Sequence, residues 1–344
     1  MTTRSGARER WRLIPIGRMM PFSGQFLMLL VLPVIGYLLV QTASATGADW
    51  STIGQSVLAV KLLWLPAMAL FWWAGHCARA SAMVACLPGL SLRRALSLCF
   101  AGSAVANSLP LGGALSCGVT AAMMRSWGFT PRALTTFFTL NQVCNILVRL
   151  VFGALSLGWF LTRGPGLLQG SSALFLSVAV ALVLLAGGGV LASDPVMLWV
   201  GRRTGWPLIS FRGEAMACLR RSWLRLVLST VGYMILLGVL LELCLRGLGT
   251  AQPVLLAIAV VGIERMVTAV PLTPGGAGAA ELTIFSCLTA AGTEAVDAFA
   301  VALLYRFFTF LLEIPVGAVI ILSWRIRRRR ARTGELPALT PRRI

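Results

Sequence analysis

Charge is scarce in this sequence, and the little that it has is unbalanced. Only 12% of its 344 residues are charged, whereas a soluble domain carries about 25%. The 30 Lys and Arg residues far outnumber the 11 Asp and Glu residues, and the net charge is +19. With 58% hydrophobic residues and a mean hydropathy of +0.84, the chain needs lipid as its solvent, which excludes a soluble enzyme.

Residues that usually hold metals or cofactors are also few. His76 is the only histidine; it follows a predicted span with no acid near it in sequence, so we expect no catalytic role for it. No two of the eight cysteines have C-x-x-C spacing, and no Gly-Lys-Ser/Thr follows the glycines. The basic residues lie between apolar stretches, without a DNA- or RNA-binding motif. We therefore expect no metal, no cofactor and no nucleic-acid partner.

Long apolar stretches are what the sequence does contain, and they predict an all-α polytopic membrane protein. A helix that crosses lipid needs about 20 apolar residues. Six stretches predict full transmembrane helices: 22–42, 54–75, 133–162, 171–192, 222–245 and 297–323. The first precedes Ala43-Ser44-Ala45, a pattern also found at signal-peptide cleavage sites, but the long basic segment before it favours a retained helix.

Two further apolar stretches, 95–124 and 251–292, are interrupted by helix-breaking residues. The first breaks at 107–113 and the second at 271–278, where Pro removes a helical hydrogen bond and Gly adds backbone freedom. Each stretch is predicted to form a broken or re-entrant hairpin of two half-helices, or alternatively two short spans.

The distribution of Arg among the loops predicts the orientation of the chain. Basic loops stay in the cytoplasm, which places the N-terminal tail 1–21 and the C-terminal tail 324–344 there. The same rule places two loops, 76–94 and 194–221, inside, and the loops 43–53 and 163–170 outside.

The order of spans and hairpins predicts an inverted repeat within the transmembrane domain 22–323. Span, span, hairpin and span occur first in about 22–162 and again, starting from the other side, in about 171–323. An offset of 164 residues aligns Pro110 with Pro274 and Gly153 with Gly317. Inverted repeats with broken helices are typical of transporters.

Small residues precede the second half-helix of the second hairpin. Pro274, Gly275, Gly276 and Gly278 are followed by Glu281. Free backbone N–H groups at a helix start attract anions, so a phosphate headgroup is the predicted ligand. The alternative is a tight turn in which Gly allows close helix packing.

Polar residues inside apolar helices are candidates for substrate binding by default. Arg306 is predicted to pair with Glu281 or to bind a phosphate, and it shares a helix face with Glu313, seven residues on. The predicted set also includes Glu264, Arg265, Asn107, Gly112, Gly113, Asn141 and Arg149. The alternatives are structural ion pairs for the charged residues and hydrogen bonds between helices for the amides.

The second hairpin and the residues after it carry a family resemblance. The stretch 271–281, then Gly292, Tyr305-Arg306 and Pro315-Val316-Gly317, resembles the second-half signature of the lysylphosphatidylglycerol synthase transmembrane-region family. The stretch 107–113, with Arg125 and Gly128, fits the first-half signature more loosely, because the acid usual after its Gly is replaced here by Ala114-Leu115-Ser116. The resemblance covers roughly residues 20–323.

This resemblance implies a flippase-like fold that moves aminoacylated phospholipids or polyprenyl-linked glycolipids between leaflets. In bifunctional relatives a soluble synthetase domain follows the membrane part; since only about 20 residues follow the last span here, we expect no aminoacyl transfer and no enzyme activity. The predicted protein is a lipid flippase of the plasma membrane that binds lipids with an anionic or phosphate-bearing headgroup.

Two alternatives to transport remain open. The protein could be a non-transporting membrane partner that recruits a lipid-modifying enzyme, with the basic C-terminal tail and the segment 194–221 as docking surfaces. It could also be a membrane-embedded transferase, but the cytoplasmic loops offer only Asp194 and Glu214, far apart, as acid or base.

Overall fold

The computed structural model describes residues 50–109, 112–162, 180, 208–250, 252–269 and 273–332. Within these ranges every regular element is a helix and no strand occurs, as expected for an α-helical membrane protein. The predicted spans 22–42 and, apart from Val180, 171–192 lie outside the described residues.

Ten α-helices make up the described chain. The first half contains α1 Trp50–Leu58, α2 Trp64–Cys86, α3 Leu92–Ser108, α4 Gly112–Ser126 and α5 Pro131–Leu161. The second half contains α6 Leu208–Gly247, α7 Val254–Val267, α8 Ala279–Ala290, α9 Ala295–Arg306 and α10 Glu313–Arg332. A short 3₁₀ turn, Pro274–Gly276, precedes α8, and a π-helical turn, Phe307–Leu311, joins α9 to α10.

Three stretches of these helices are long and apolar enough to cross a membrane, judged by length and composition. They are Pro131–Leu161, Met216–Gly247 and Ala295–Arg330. These correspond to the predicted spans 133–162, 222–245 and 297–323. Four of the six predicted ends lie within two residues of the observed ends, and the other two differ by six and seven residues.

The predicted span 54–75 is not one helix. The chain leaves helical conformation between α1 and α2, and Lys61 is exposed in this break. Pro66 lies in the first turn of α2, where its missing N–H removes no hydrogen bond. A helix running unbroken from Trp50 would need that bond, so α2 begins afresh at Trp64. It then continues to Cys86, so much of the predicted loop 76–94 is helical.

Both interrupted stretches fold as pairs of helices with the breaks where they were predicted. In the first hairpin α3 ends at Ser108 and α4 begins at Gly112, while in the second α7 ends at Val267 and α8 begins at Ala279. The helices of each pair pack against each other. Gly112 permits the first pair to approach closely, because a Cβ there would lie 2.5 Å from the Ala106 carbonyl oxygen.

The two halves of the chain pack against each other in a reciprocal way. The second-half helix α10 packs on α3 of the first hairpin, and the first-half helix α5 packs on α7 of the second hairpin. A glycine is essential at each contact. A Cβ on Gly317 would collide with the carbonyl oxygen of Phe100, and one on Gly153 would lie 2.8 Å from the Gly262 carbonyl oxygen. These two glycines are the pair that the 164-residue offset aligns.

The π-helical turn between α9 and α10 has a local cause. Pro315 cannot donate to the carbonyl of Leu311, and its ring crowds that carbonyl. The backbone widens instead, and the N–H of Leu312 donates to the carbonyl oxygen of Phe307, five residues earlier, at 2.8 Å. The wider turn changes the direction in which all later side chains point.

Candidate functional site

The breaks of the two hairpins meet inside the protein. Asn107, at the end of α3, donates from Nδ2 to the carbonyl oxygen of Phe310 at 3.2 Å. A Cβ added to Gly275 in the second break would lie 2.5 Å from Asn107 Oδ1. Two interrupted segments, predicted separately from the sequence, therefore form one contact region.

Arg306 and Glu281 form a buried ion pair beside this contact, as the sequence suggested they could. Arg306 Nε lies 2.7 Å from Glu281 Oε1, and the two side chains are only 7% and 13% exposed. A second guanidinium nitrogen of Arg306 donates to the carbonyl oxygen of Gly275 at 3.1 Å, and the guanidinium carbon lies 4.6 Å from the centre of the Phe310 ring. Arg306 thus ties α9 to α8 and to the turn before it.

The small residues before α8 form a tight turn that a side chain of the protein fills. Gly275, Gly276 and Gly278 all have positive φ angles, of 55°, 68° and 85°, which favour glycine. The N–H of Gly276 donates to the Thr273 carbonyl oxygen at 3.2 Å, and that of Gly278 donates to Glu281 Oε2 at 2.7 Å. The Glu281 carboxylate thus occupies the place at the helix start where a phosphate was predicted.

Glu313 is bound by residues of the first half of the chain. Its Oε1 lies 3.2 Å from His76 Nε2, and its Oε2 accepts a hydrogen bond of 3.4 Å from Asn107 Nδ2. His76 and Glu313 are only 2% and 5% exposed. The expectation that His76 follows the end of a span is therefore wrong, because it lies within α2. Its acid is distant in sequence and comes from the other half of the chain.

Arg306 and Glu313 contact different partners although they are seven residues apart. In an uninterrupted α-helix they would lie on one face. The π turn between them inserts in effect one extra residue, which rotates the following side chains by about 100°. Arg306 therefore contacts the second hairpin, and Glu313 contacts α2 and α3.

A second group of charged residues lies on α5 and α7, beside Tyr305 of α9. Arg265 Nε is 2.8 Å from Glu264 Oε2, and Arg265 donates from Nη2 to the Tyr305 hydroxyl at 3.2 Å. Arg149 is close enough to interact electrostatically with Arg265 and Glu264. Three predicted site residues, Glu264, Arg265 and Arg149, are thus brought together.

Other predicted residues take no part in either group. The Asn141 side chain forms no hydrogen bond within the described part of the chain. The hydrogen bond between helices that was the alternative for this amide is therefore not present there. Gly112 allows α3 and α4 to pack closely, whereas a Cβ on Gly113 would have no atom within 4 Å. Pro274 opens the 3₁₀ turn of the second hairpin.

Sequence reasoning did not propose three residues that lie in or beside these groups: His76, Tyr305 and Arg79. Arg79 was read as part of a cytoplasmic loop, but it lies within α2 and donates from Nη1 to Ser103 Oγ at 3.1 Å. A signal was present, because Trp72, His76 and Arg79 are spaced to share one helix face.

An open groove of about 640 Å³ lies apart from the predicted residues, none of which lines it. It is bounded by the end of α2 and parts of α5 and α6, and Arg221 and Arg225 are among its lining residues. By the predicted orientation it would open toward the cytoplasm.

Comparison with known proteins gives one match. The sequence model of the family described as the lysylphosphatidylglycerol synthase TM region matches residues 25–317, a range that contains both hairpins, the Arg306–Glu281 pair and Glu313. No curated protein and no solved structure matches the chain.

Proposed function

The chain belongs to the lysylphosphatidylglycerol synthase TM region family, a membrane domain associated with lipid handling, and on that premise we propose that it is a lipid transporter. It moves a lipid with an anionic or phosphate-bearing headgroup, an aminoacyl-phospholipid or a polyprenyl-linked glycolipid, between the leaflets of the plasma membrane. It performs no group transfer itself. The observation that carries this proposal is the meeting of the two hairpin breaks.

Interrupted helices are tolerated at membrane depth only where protein or water surrounds the irregular backbone. In this chain Asn107 of one break and Gly275 of the other are in contact, so each break helps to surround the other. Backbone groups and buried charges at such a junction can bind a polar headgroup while acyl chains stay in lipid.

The reciprocal packing of the halves supports an inverted repeat. The last helix of each half packs on the first helix of the other half's hairpin, at Gly317 in one case and Gly153 in the other. α2 and α6, which hold corresponding places in the two halves, pack on each other. Two equivalent halves that exchange contacts in this way can rock against each other and expose the junction to either leaflet.

Transport of this kind is downhill or coupled to an ion, since the sequence has no nucleotide-binding loop. Both basic tails face the cytoplasm in the proposed orientation. The C-terminal tail continues α10 as a helix to Arg332. In this orientation its arginines would bind anionic headgroups of the inner leaflet.

Lipid movement in liposomes tests the proposal. The purified protein is reconstituted with one headgroup-labelled lipid at a time: phosphatidylglycerol, its lysyl ester or a polyprenyl phosphate. A membrane-impermeant quencher then reports the fraction of label in the outer leaflet. We expect quenching to pass from half to nearly complete for at least one of these lipids.

Two glycine variants connect the result to the junction. Gly275→Val introduces a side chain where Asn107 and Phe310 leave no room, and we expect it to abolish lipid movement. Gly118→Val is the matched control, since nothing lies within 4 Å of a Cβ at that position. Quenching that stays at half for all three lipids would refute transport of these lipids, and a non-transporting partner of a lipid-modifying enzyme would replace it.

A further inference from the structure

Arg149 lies near the middle of a helix long and apolar enough to cross a membrane, and it has no counter-ion within the described part of the chain. The midpoint of the 31-residue α5, Pro131–Leu161, is residue 146, three residues from Arg149. Its Nε is buried and has no hydrogen-bond partner. Among the described residues no carboxylate lies within ion-pair distance of it. A charged side chain at such a depth is costly unless something pairs with it.

Two further arginines lie near Arg149, and each comes from a different helix. Arg265 of α7 and Arg79 of α2 both interact with it electrostatically, and so does Tyr233 of α6. Close helix packing holds these elements in place. Gly153, one turn beyond Arg149, allows α5 to contact Met266 of α7 directly.

The contact between α2 and α6 fixes the other side of this group. A Cβ on Gly75, one turn before Arg79, would lie 3.5 Å from the ring of Tyr233. The tyrosine ring therefore packs directly on the α2 backbone. Because five helices supply Arg79, Arg149, Tyr233, Arg265 and Tyr305, the group is built by the tertiary fold.

The nearby carboxylates do not balance these three arginines. Glu264 is paired with Arg265. Glu313 interacts electrostatically with Arg79, but it already contacts His76 and Asn107. Three guanidinium groups thus face two carboxylates, and the positive charge left over is that of Arg149.

We infer that Arg79, Arg149 and Arg265 form the binding site for the phosphate of an anionic phospholipid, with the hydroxyls of Tyr233 and Tyr305 beside it. This inference rests on the proposed transport function and names the group that the transporter recognises. Guanidinium groups match the oxygens of a phosphate in a bidentate geometry. The Tyr305 hydroxyl accepts from Arg265 and keeps its own proton free to donate to an anion.

Arg306 does not belong to this phosphate site. Its guanidinium is already engaged by Glu281, by the Gly275 carbonyl and by the Phe310 ring. A phosphate there would have to displace a carboxylate held at 2.7 Å. Arg265 also has a carboxylate at 2.8 Å, but unlike Arg306 it lies beside Arg149, which has no carboxylate within ion-pair distance among the described residues.

Binding of a short-chain lipid to the purified protein in detergent tests the site. The probe is dioctanoyl phosphatidylglycerol, and dioctanoylglycerol, which lacks the phosphate, is the comparison lipid. We expect Arg149→Gln to weaken binding of the phospholipid by at least about tenfold, the loss of one charge-assisted hydrogen bond. Arg265→Gln should weaken it similarly, and Arg149→Lys should weaken it less.

Arg93→Gln is the matched control, because it removes the same charge from an exposed position at the start of α3 and should leave binding unchanged. Thermal unfolding distinguishes an arginine that binds lipid from an arginine that only stabilises the fold. Without lipid, Arg149→Gln should be at least as stable as the parent, because it removes an unpaired charge. With the phospholipid present, the parent and Arg93→Gln should gain stability equally, and Arg149→Gln should gain less.

Competition by inorganic phosphate identifies the source of the ligand. If phosphate displaces the lipid, the site recognises the phosphate group alone. If it does not, while Arg149→Gln still loses the lipid, the phosphate is recognised only within the lipid. The inference would be overturned if dioctanoylglycerol bound as tightly as the phospholipid. It would also be overturned if Arg149→Gln and Arg265→Gln both bound the phospholipid as tightly as the parent. Neither result depends on lipid movement, so transport and this site can fail separately.

Discussion

The two hairpins occupy corresponding places in the chain, yet their breaks are held by different chemistry. In the first, Asn107 makes hydrogen bonds of 3.2 and 3.4 Å. In the second, the buried Arg306–Glu281 pair at 2.7 Å closes a turn with three left-handed glycines. The halves thus pack in the same way, but the charged residues that hold the two breaks, Arg306, Glu281 and Glu313, all come from the second half.

The largest difference between the hairpins should appear when the ion pair is broken. Arg306→Ala leaves Glu281 buried without its partner, and removing one member of a buried pair costs about 3–5 kcal/mol. We expect a large drop in the unfolding temperature of the purified protein in detergent, followed by tryptophan fluorescence.

The double variant Arg306→Gln/Glu281→Gln sharpens this result. It removes both charges, so it should recover much of the stability lost in Arg306→Ala. If Arg306→Ala proves no less stable than the parent protein, the pair does not hold the second hairpin.

Substitution of the paired glycines tests what the halves have in common. Gly153→Leu and Gly317→Leu each force a side chain into a helix contact with no free space. Overpacking of this kind costs about 1–3 kcal/mol, and we expect the two losses in the free energy of unfolding to be similar. Gly118→Leu, at a position with no neighbour within 4 Å, should change it little. Very unequal losses at Gly153 and Gly317 would argue against equivalent halves.

The smallest effect is expected at the amide of the first hairpin. Asn107→Ala removes neutral and charge-assisted hydrogen bonds that are partly buried, worth about 1–2 kcal/mol together. The measurement is again the unfolding temperature, with Asn145→Ala on α5 as a control, since the Asn145 side chain forms no hydrogen bond in the described part of the chain. A loss as large as that of Arg306→Ala would erase the proposed contrast between the hairpins.

The sequence predicted the parts of this fold that local chemistry decides. Apolar length located α5, the apolar part of α6 and the α9–α10 segment, and Pro and Gly located both hairpin breaks. The start of α6, from Leu208 to Arg221, was assigned to a loop instead. The sequence also proposed the pairing of Arg306 with Glu281, which the structure confirms as a contact.

Contacts between distant segments could not be predicted in this way. Asn107 and Glu313 are 206 residues apart in sequence. No local sequence pattern predicts that α10 packs on α3. Arg79 was assigned to a loop because the positive-inside rule counts arginines without knowing where a helix ends. The break before α2 was missed because hydropathy averages over Pro66 without registering its missing donor.

The π-helical turn makes the number of residues between Arg306 and Glu313 matter as much as their identity. Deleting one residue from Phe307–Leu311 would remove the extra residue of the turn, and Glu313 would rotate by about 100° away from His76 and Asn107. Arg306 would keep its partner. Chains that preserve this arrangement must therefore conserve the spacing between the two residues even where the aromatic side chains within the turn have changed.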